Sequence, residues 1–247
     1  MSELSVLTSL LVKVFGGLLA TAYNAVGLPA DKASEQATIV LSSFSLELIV
    51  AAGLIAFFVL VRATLSVEKP GALQHVAEMI HESVGNQAEQ IIGHDYQRFQ
   101  AFVTCIFLFV LLNNLLGLIP GVTAPTSLPV VPLGIAALTF VYYNFHGLRV
   151  QGPVGYLKHF AGPVWWLTPL LFPIEIVSHL ARVMSLTIRL YANMFAGDLV
   201  TMVFFSMIPI GIPAIFLGMH LAVSVIQAFV FTLLAMIYLS LAVAHEH

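Results

Sequence analysis

The sequence predicts an all-α polytopic membrane protein with about five membrane helices. Three observations carry that expectation. Apolar residues make up 60% of the 247 and charged residues only 9%, against roughly 25% charged in a soluble domain. Mean hydropathy is +0.99. Several apolar stretches reach the ~20 residues that a helix needs to cross a hydrocarbon core about 30 Å thick. The formal net charge of -3 is too small to argue for nucleic acid or an acidic partner. The single cysteine, Cys105, lies in an apolar run and excludes an internal disulfide framework.

Residues 1–38 read as an N-terminal interfacial segment followed by a linker. Leu4, Leu7, Leu11, Val14 and Leu18 fall at helical spacing, with Ser2, Ser5 and Ser9 among the polar positions. Glu3 at the start and Lys13 as the only early cation argue against a cleaved secretory signal, which opens on a positive stretch. Pro29 to Gln36 is polar and reads as the linker. Residues 39–247 then form a single membrane domain. Its first span is 40–61, in which Glu47 either lies near the interface or faces other protein. Arg62, Lys69 and Pro70 close it; by the positive-inside rule these cations put that end in the cytoplasm and the N-terminus outside.

Residues 71–97 are the one clearly polar stretch and read as an amphipathic helix on the cytoplasmic surface, broken near Gly93. Leu73, Val76, Ile80, Val84, Ile91 and Ile92 oppose Glu78, Glu82 and Glu89. His75, His81 and His94 are expected in solvent, because no ligand cluster accompanies them. A hairpin follows, with spans at 99–119 and 133–145 and a Pro-rich outer turn from Pro120 to Pro132. Gly147 to Pro163 carries Arg149, Lys158 and His159 and reads as a cytoplasmic loop. Two long apolar stretches close the chain, at 165–208 and 214–244, separated by the turn Pro209-Ile-Gly-Ile-Pro213. The first would make roughly 65 Å of helix, twice the hydrocarbon thickness. A helix that long must tilt, bend or divide, and two long, oblique helices packed as a hairpin are expected.

The polar residues within those two helices fall into order by helical rotation. Arg189 sits deep in apolar sequence, where a cation costs roughly 2.5–3.5 kcal/mol on insertion scales. At about 100° per residue, Glu175, Ser178, Arg182 and Asn193 all lie within about 40° of it, so the five form one stripe. Asp198 falls about 180° away. On the last helix His220, Ser224 and Gln227 share a face, which Tyr238 extends. Two readings compete. Hydrogen bonding between helices accounts for Ser, Asn, Gln and His in membranes. It does not account for two arginines sharing a stripe with one acid, since arginine stays charged. The other reading is an ion or proton path, with Asp198, His220 and Glu175 as titratable stations and Arg189 as an electrostatic barrier. No nucleophile with its base, phosphate loop or Cys/His cage is present in the sequence.

The block Ser185-Leu-Thr-Ile-Arg-Leu-Tyr-Ala-Asn-Met-Phe-Ala-Gly-Asp198 closely resembles the signature of subunit a of F-type ATP synthases. Asn114-Leu-Leu-Gly-Leu-Ile-Pro120, Pro173-Ile-Glu-Ile-Val-Ser178 and the stretch from His220 through Gln227-Ala-Phe to Tyr238-Leu extend the resemblance from about residue 45 to the end. It implies a stator subunit of a rotary motor in a bacterial inner membrane, its last two helices packed against the rotor's c-ring, with its C-terminus in the cytoplasm. It also implies peripheral-stalk b subunits and the lipid bilayer as partners, no nucleic acid, no cofactor or metal, and no ATP chemistry in this chain. Arg189 matches the arginine that faces the c-ring carboxylates. Asn193 and Gln227 match polar residues beside it. Asp198 and His220 occupy the positions of an acid and a histidine in the half-channel from the outer side, where relatives often carry glutamate in place of Asp198. Glu175 and Ser178 match the half-channel toward the cytoplasm. Arg182 stands where relatives often carry lysine, an interfacial position. Titratable Asp198 and His220 suit protons better than sodium. The rival from another class is a self-contained secondary transporter or channel, with Arg189 as substrate or counter-ion site. Such proteins show internal repeats and matched broken helices, and the arginine block does not recur in this sequence.

Overall fold

The computed structural model describes residues 2–25, 27, 29–66, 71–93, 95–119, 122–161, 168–207 and 211–243. His94, Lys69, Pro70, Pro120, Gly121, the 165–167 start of the first long helix, residues 208–210 of the following turn, and the terminal residues 244–247 lie outside them. The elements are α1 (Ser2–Ala25), α2 (Ala30–Ala63), α3 (Ala72–Ile92), α4 (Gln97–Leu116), a 3-10 turn (Pro125–Ser127), α5 (Val130–Ala161), α6 (Thr168–Met207) and α7 (Ile212–Val243). No strand occurs among the described residues. Five segments, Leu7–Ala25, Asp31–Ala63, Gln97–Leu116, Leu171–Met207 and Pro213–Val243, are long and apolar enough to cross a membrane. The chain is an all-α polytopic membrane protein.

Three elements differ from what the sequence led one to expect. Segment α1, expected at the interface, lies antiparallel along α2: the Thr8 and Ser45 hydroxyls are 2.9 Å apart and Gly16 faces Leu41. The polar stretch after Pro29 is helical rather than a linker. Pro29 caps a run free of Gly and Pro up to Gly53, with Asp31 in the first turn, and Ser34 and Thr38 return their hydroxyls to carbonyls of the preceding turn. Helix α5 continues past residue 145, through the expected cytoplasmic loop, to Ala161. The loop reading rested on charge, which does not by itself oppose helix; within that stretch the helical backbone is interrupted at Gly152, whose φ of 74° only glycine adopts readily.

Helices α4, α5, α6 and α7 form the core. Ile106 and Val110 of α4, Ile135 and Ala136 of α5, Leu186, Leu190 and Met194 of α6, and Ala228 and Phe231 of α7 are buried together. Helix α3 is amphipathic and docks the apolar side of its second half against α4 and α7, Val84 and Ala88 meeting Val103 and Met236. It is tied on by bonds to backbone: the Gln100 amide donates to the His81 carbonyl at 2.9 Å, and the Ser240 hydroxyl donates to the Ile91 carbonyl at 2.8 Å. Gly93, at φ 87°, ends it. His75 and His81 are exposed. Gln74 holds the α2–α3 connection through Ser66, accepting from its N–H at 3.1 Å and donating to its carbonyl at 3.2 Å. On the other flank, Val50 and Leu54 of α2 pack against Leu108 of α4.

Helices α6 and α7 run antiparallel in a fixed register. Arg182 lies over the Tyr238 ring at 5.4 Å, Asn193 bonds Gln227 at 2.8 Å, and Phe204 stacks on Phe216 at 4.3 Å. Each contacting residue on either helix is eleven from the next. Eleven residues are three turns at 3.67 per turn, close to the natural helical period, so the pair keeps one seam in contact from Arg182 to Phe204. Phe231, 1% exposed in the middle of this core, gives a direct check. Phe231→Ala is expected to destabilise the fold by about 3 kcal/mol, read as a lowered midpoint of thermal unfolding in detergent.

Candidate functional site: two polar clusters and a lone arginine

The polar residues of α6 and α7 gather at two places, with Arg189 between them. The first place is where α6 and α7 meet the end of α4 and the loop after it. His220 is 1% exposed, and its Nδ1 lies 3.8 Å from Asp198 Oδ1, an ion-pair separation beyond hydrogen-bond length. The Ala124 N–H donates to Asp198 Oδ2 at 3.3 Å. Two glycines make the approach possible. A Cβ on Gly197 would stand 3.2 Å from His220 Nε2, and one on Gly117 would stand 3.0 Å from Asp198 Oδ1 and 2.8 Å from the Ala124 Cβ. An added Cβ at either position would crowd the pair.

Beneath lies a buried polar layer. The Thr126 hydroxyl donates to Asn114 Oδ1 at 2.8 Å, and Asn114 Nδ2 donates to the Ser224 carbonyl at 3.3 Å. Ser224 is fully buried, its hydroxyl 3.9 Å from the Met194 sulfur. Gln227 accepts from Asn193 Nδ2 at 2.8 Å. Among the described residues the Gln227 amide nitrogen, Asn113 Oδ1 and both ring nitrogens of His220 are buried without a hydrogen-bond partner, which marks the layer as one suited to water.

The second place is the opposite end of the α6/α7 pair. The Glu175 carboxylate lies 3.5 Å from His179 Nε2 and 3.9 Å from Arg182 Nη2. Arg182 in turn covers Tyr238, whose ring centroid is 6.1 Å from that of Tyr143. Ser178 is half-buried one residue before His179.

Arg189 stands apart from both. It is half-buried on the margin between the core face of α6 (Leu186, Leu190 and Met194) and an exposed face carrying Ala181, Ser185, Ala192 and Ala196. No carboxylate among the described residues lies within ion-pair distance of it. Thus the stripe of Glu175, Ser178, Arg182, Arg189 and Asn193 divides. Arg182 and Glu175 turn to each other, Asn193 turns to α7, and Arg189 is left on the open margin. Asp198 faces the α4–α5 loop, on the far side of the helix from Arg189. The face of His220, Ser224 and Gln227 is buried toward α6 and α4, and Tyr238 continues it at the second cluster.

Several participants escaped the sequence reading. His179 and Tyr143 were passed over, although His179 is one turn from Glu175 and so was available from i,i+4 spacing. Asn113 and Asn114 close the second expected span, Asn114 also opens a stretch that carries the resemblance, and Thr126 falls in the Pro-rich turn, but the sequence gives none of the three a place in the site. Gly117 and Gly197 carried no signal of their own, because a packing glycine is recognisable only from what stands against it.

The sequence matches the family model for the ATP synthase A chain over residues 44–240. It is 54% identical over 203 residues to ATP synthase subunit a of Koribacter versatilis, covering 82% of this chain and 83% of that one. It is 48% identical over 203 residues to the subunit a of Solibacter usitatus, covering 82% and 87% of the two chains. With that of Bdellovibrio bacteriovorus the figures are 46% over 177 residues, 71% and 77%. A match running through both polar clusters and Arg189, with relatives so similar over most of their length, means that this chain belongs to the ATP synthase subunit a family.

Proposed function

We propose that the chain is the stator half of a rotary proton path, offering two offset aqueous half-channels to a ring of c subunits and separating them with Arg189. The observation that carries this reading is the division of the polar residues. Asp198 with His220 and Glu175 with Arg182 lie at opposite ends of α6, about 34 Å apart at 1.5 Å per residue. A fixed cation with no carboxylate beside it among the described residues lies between them. Its counter-charge is assigned to a carboxylate on a rotor helix. The small residues Ala181, Ser185, Ala192 and Ala196 beside Arg189 let a second helix approach closely, as small residues do within membranes.

The chemistry follows from the cost of charge in lipid. A rotor carboxylate travels through hydrocarbon when neutral and not when ionised. Protons reach it past Asp198 and His220, through the buried layer of Asn114, Ser224 and Gln227. A bridging water would complete the 3.8 Å Asp198–His220 separation. After rotation the site meets Arg189, whose field favours the ionised form, and the proton leaves on the side of Ser178 and Glu175. The same charge repels a proton that would cross directly from one half-channel to the other. Protons rather than sodium are the coupling ion on this reading, since Asp198 and His220 are exchangers and not a cation cage. The cations Arg62 and Arg149 favour the cytoplasm for the Glu175 end and the outside of a bacterial inner membrane for the start of α2, from which α1 turns back along α2. Peripheral-stalk b subunits are assigned the role of holding the chain against the torque.

Two expectations test the reading. Arg189→Ala should abolish ATP synthesis driven by a proton gradient in membranes where the complex still assembles; normal synthesis would sink the mechanism. Gly197→Val leaves Asp198 and His220 chemically intact but pushes the imidazole aside. It should reduce proton flux into vesicles about tenfold, as Asp198→Ala should. Undiminished flux in both variants would exclude this cluster from the path.

A further inference from the structure

His179 is not used in the path described above, yet its surroundings are those of a working imidazole. It is 8% exposed. Its Nδ1 lies 3.0 Å from the Tyr143 hydroxyl oxygen and its Nε2 lies 3.5 Å from Glu175 Oε1. Each ring nitrogen therefore faces one titratable group. The ring is clamped as well: Tyr143 lies at 24° to its plane with centroids 6.0 Å apart, and Phe140 meets it edge-on at 6.0 Å. Among the described residues, the titratable or charged groups facing it include Glu175 and Arg182 from its own helix and Tyr143 from α5, with Tyr238 of α7 against Tyr143. Along α6 it stands between Arg189 and Glu175. Glu175 is the wetter of the acid–imidazole pair, its side chain 31% exposed against 10% for His179.

We propose that His179 is a proton-holding station of the release path, passing protons to Glu175, and that Tyr143 is a positioning residue that fixes its tautomer. The inference rests on the two-path reading above. With Nδ1–H donating to the Tyr143 oxygen, Nε2 presents its lone pair on the Glu175 side. A proton released to water near Arg189 binds Nε2 and makes the imidazolium. The Nε2–H bond then breaks as an O–H bond forms on the Glu175 carboxylate, leaving a neutral ring beside a neutral acid. The acid gives the proton to water on its exposed side and the carboxylate is restored. Arg182, 3.9 Å from the same oxygen, holds that carboxylate in place. One proton enters and one leaves, with no other reactant.

The test is ATP-driven proton uptake by inverted membrane vesicles carrying the whole complex, followed from about pH 5.5 to 8.5, the range in which imidazole changes charge. His179→Gln keeps a hydrogen-bonding side chain but cannot carry a proton. It should lower the rate about three- to tenfold and flatten the part of the pH profile lying near the ordinary imidazole range. Tyr143→Phe removes one hydroxyl and should displace that part of the profile. A wild-type rate and profile in His179→Gln overturns the proposal, and so does a uniform loss with an unchanged profile, which packing alone would produce. If His179→Gln fails to assemble, Tyr143→Phe decides: an unchanged profile overturns the proposal. Arg189→Ala in the same membranes separates the two levels. If it is uncoupled while the His179 and Tyr143 variants behave as wild type, only the station falls; if it remains coupled, the two-path reading falls.

Discussion

The constraint on which the rest depends is the charge of Arg189, which has no carboxylate within ion-pair distance among the described residues. A guanidinium does not deprotonate at any accessible pH, and at membrane depth it is costly unless compensated. Its own chain supplies acids at both ends of α6 and directs each elsewhere, Asp198 to His220 and the Ala124 N–H, Glu175 to His179 and Arg182. The arginine stays on the margin of the core beside a face of small side chains. A protein whose stability alone mattered would gain by moving either carboxylate under that charge. Keeping them apart makes sense for a residue whose counter-charge arrives from outside.

The register of α6 and α7 is what keeps the two clusters apart. Contacts recurring every eleven residues give one continuous seam, so Asn193 and Gln227 meet in its middle while Asp198 and Glu175 fall to either side. The buried layer of Asn114, Thr126 and Ser224 joins α4 and its loop to this seam and fixes the depth of the Asp198–His220 pair. Gly117 and Gly197 are the clearance for that pair. On the proposed reading the path and the fold are held by the same contacts, and substitutions here are expected to disturb both together.

Much of this was legible in the sequence, for reasons that differ by residue. Apolar length and charge depletion announce membrane helices whatever their partners, and rotation about a helix axis puts Glu175, Ser178, Arg182, Arg189 and Asn193 on one side without any knowledge of α7. Pairings across helices were not legible in that way. That His220 reaches Asp198, or that Tyr143 of α5 reaches His179, depends on register between segments distant in sequence, which local periodicity does not encode. The extension of α5 through Arg149 to Ala161, and the helical start of α2, were misread because polarity was taken for a loop. In the first turns of α2, free of Gly and Pro, helical propensity is indifferent to whether the face is wet, whereas α5 continues through Gly147 and resumes beyond its break at Gly152 in spite of Pro153 and Gly155.

The central claim is that the face of α6 beside Arg189 lies against a rotor helix bearing a carboxylate. The most direct measurement is disulfide cross-linking in native membranes. Cysteines replace Ser185 and Ala192 in turn, in a Cys105→Ser background, each paired with a cysteine one helical turn from the c-subunit carboxylate. The account predicts an a–c cross-link at both positions, with none at Val183 on the core side. Absence of a rotor cross-link at both exposed positions, in membranes where the complex is assembled, would contradict it.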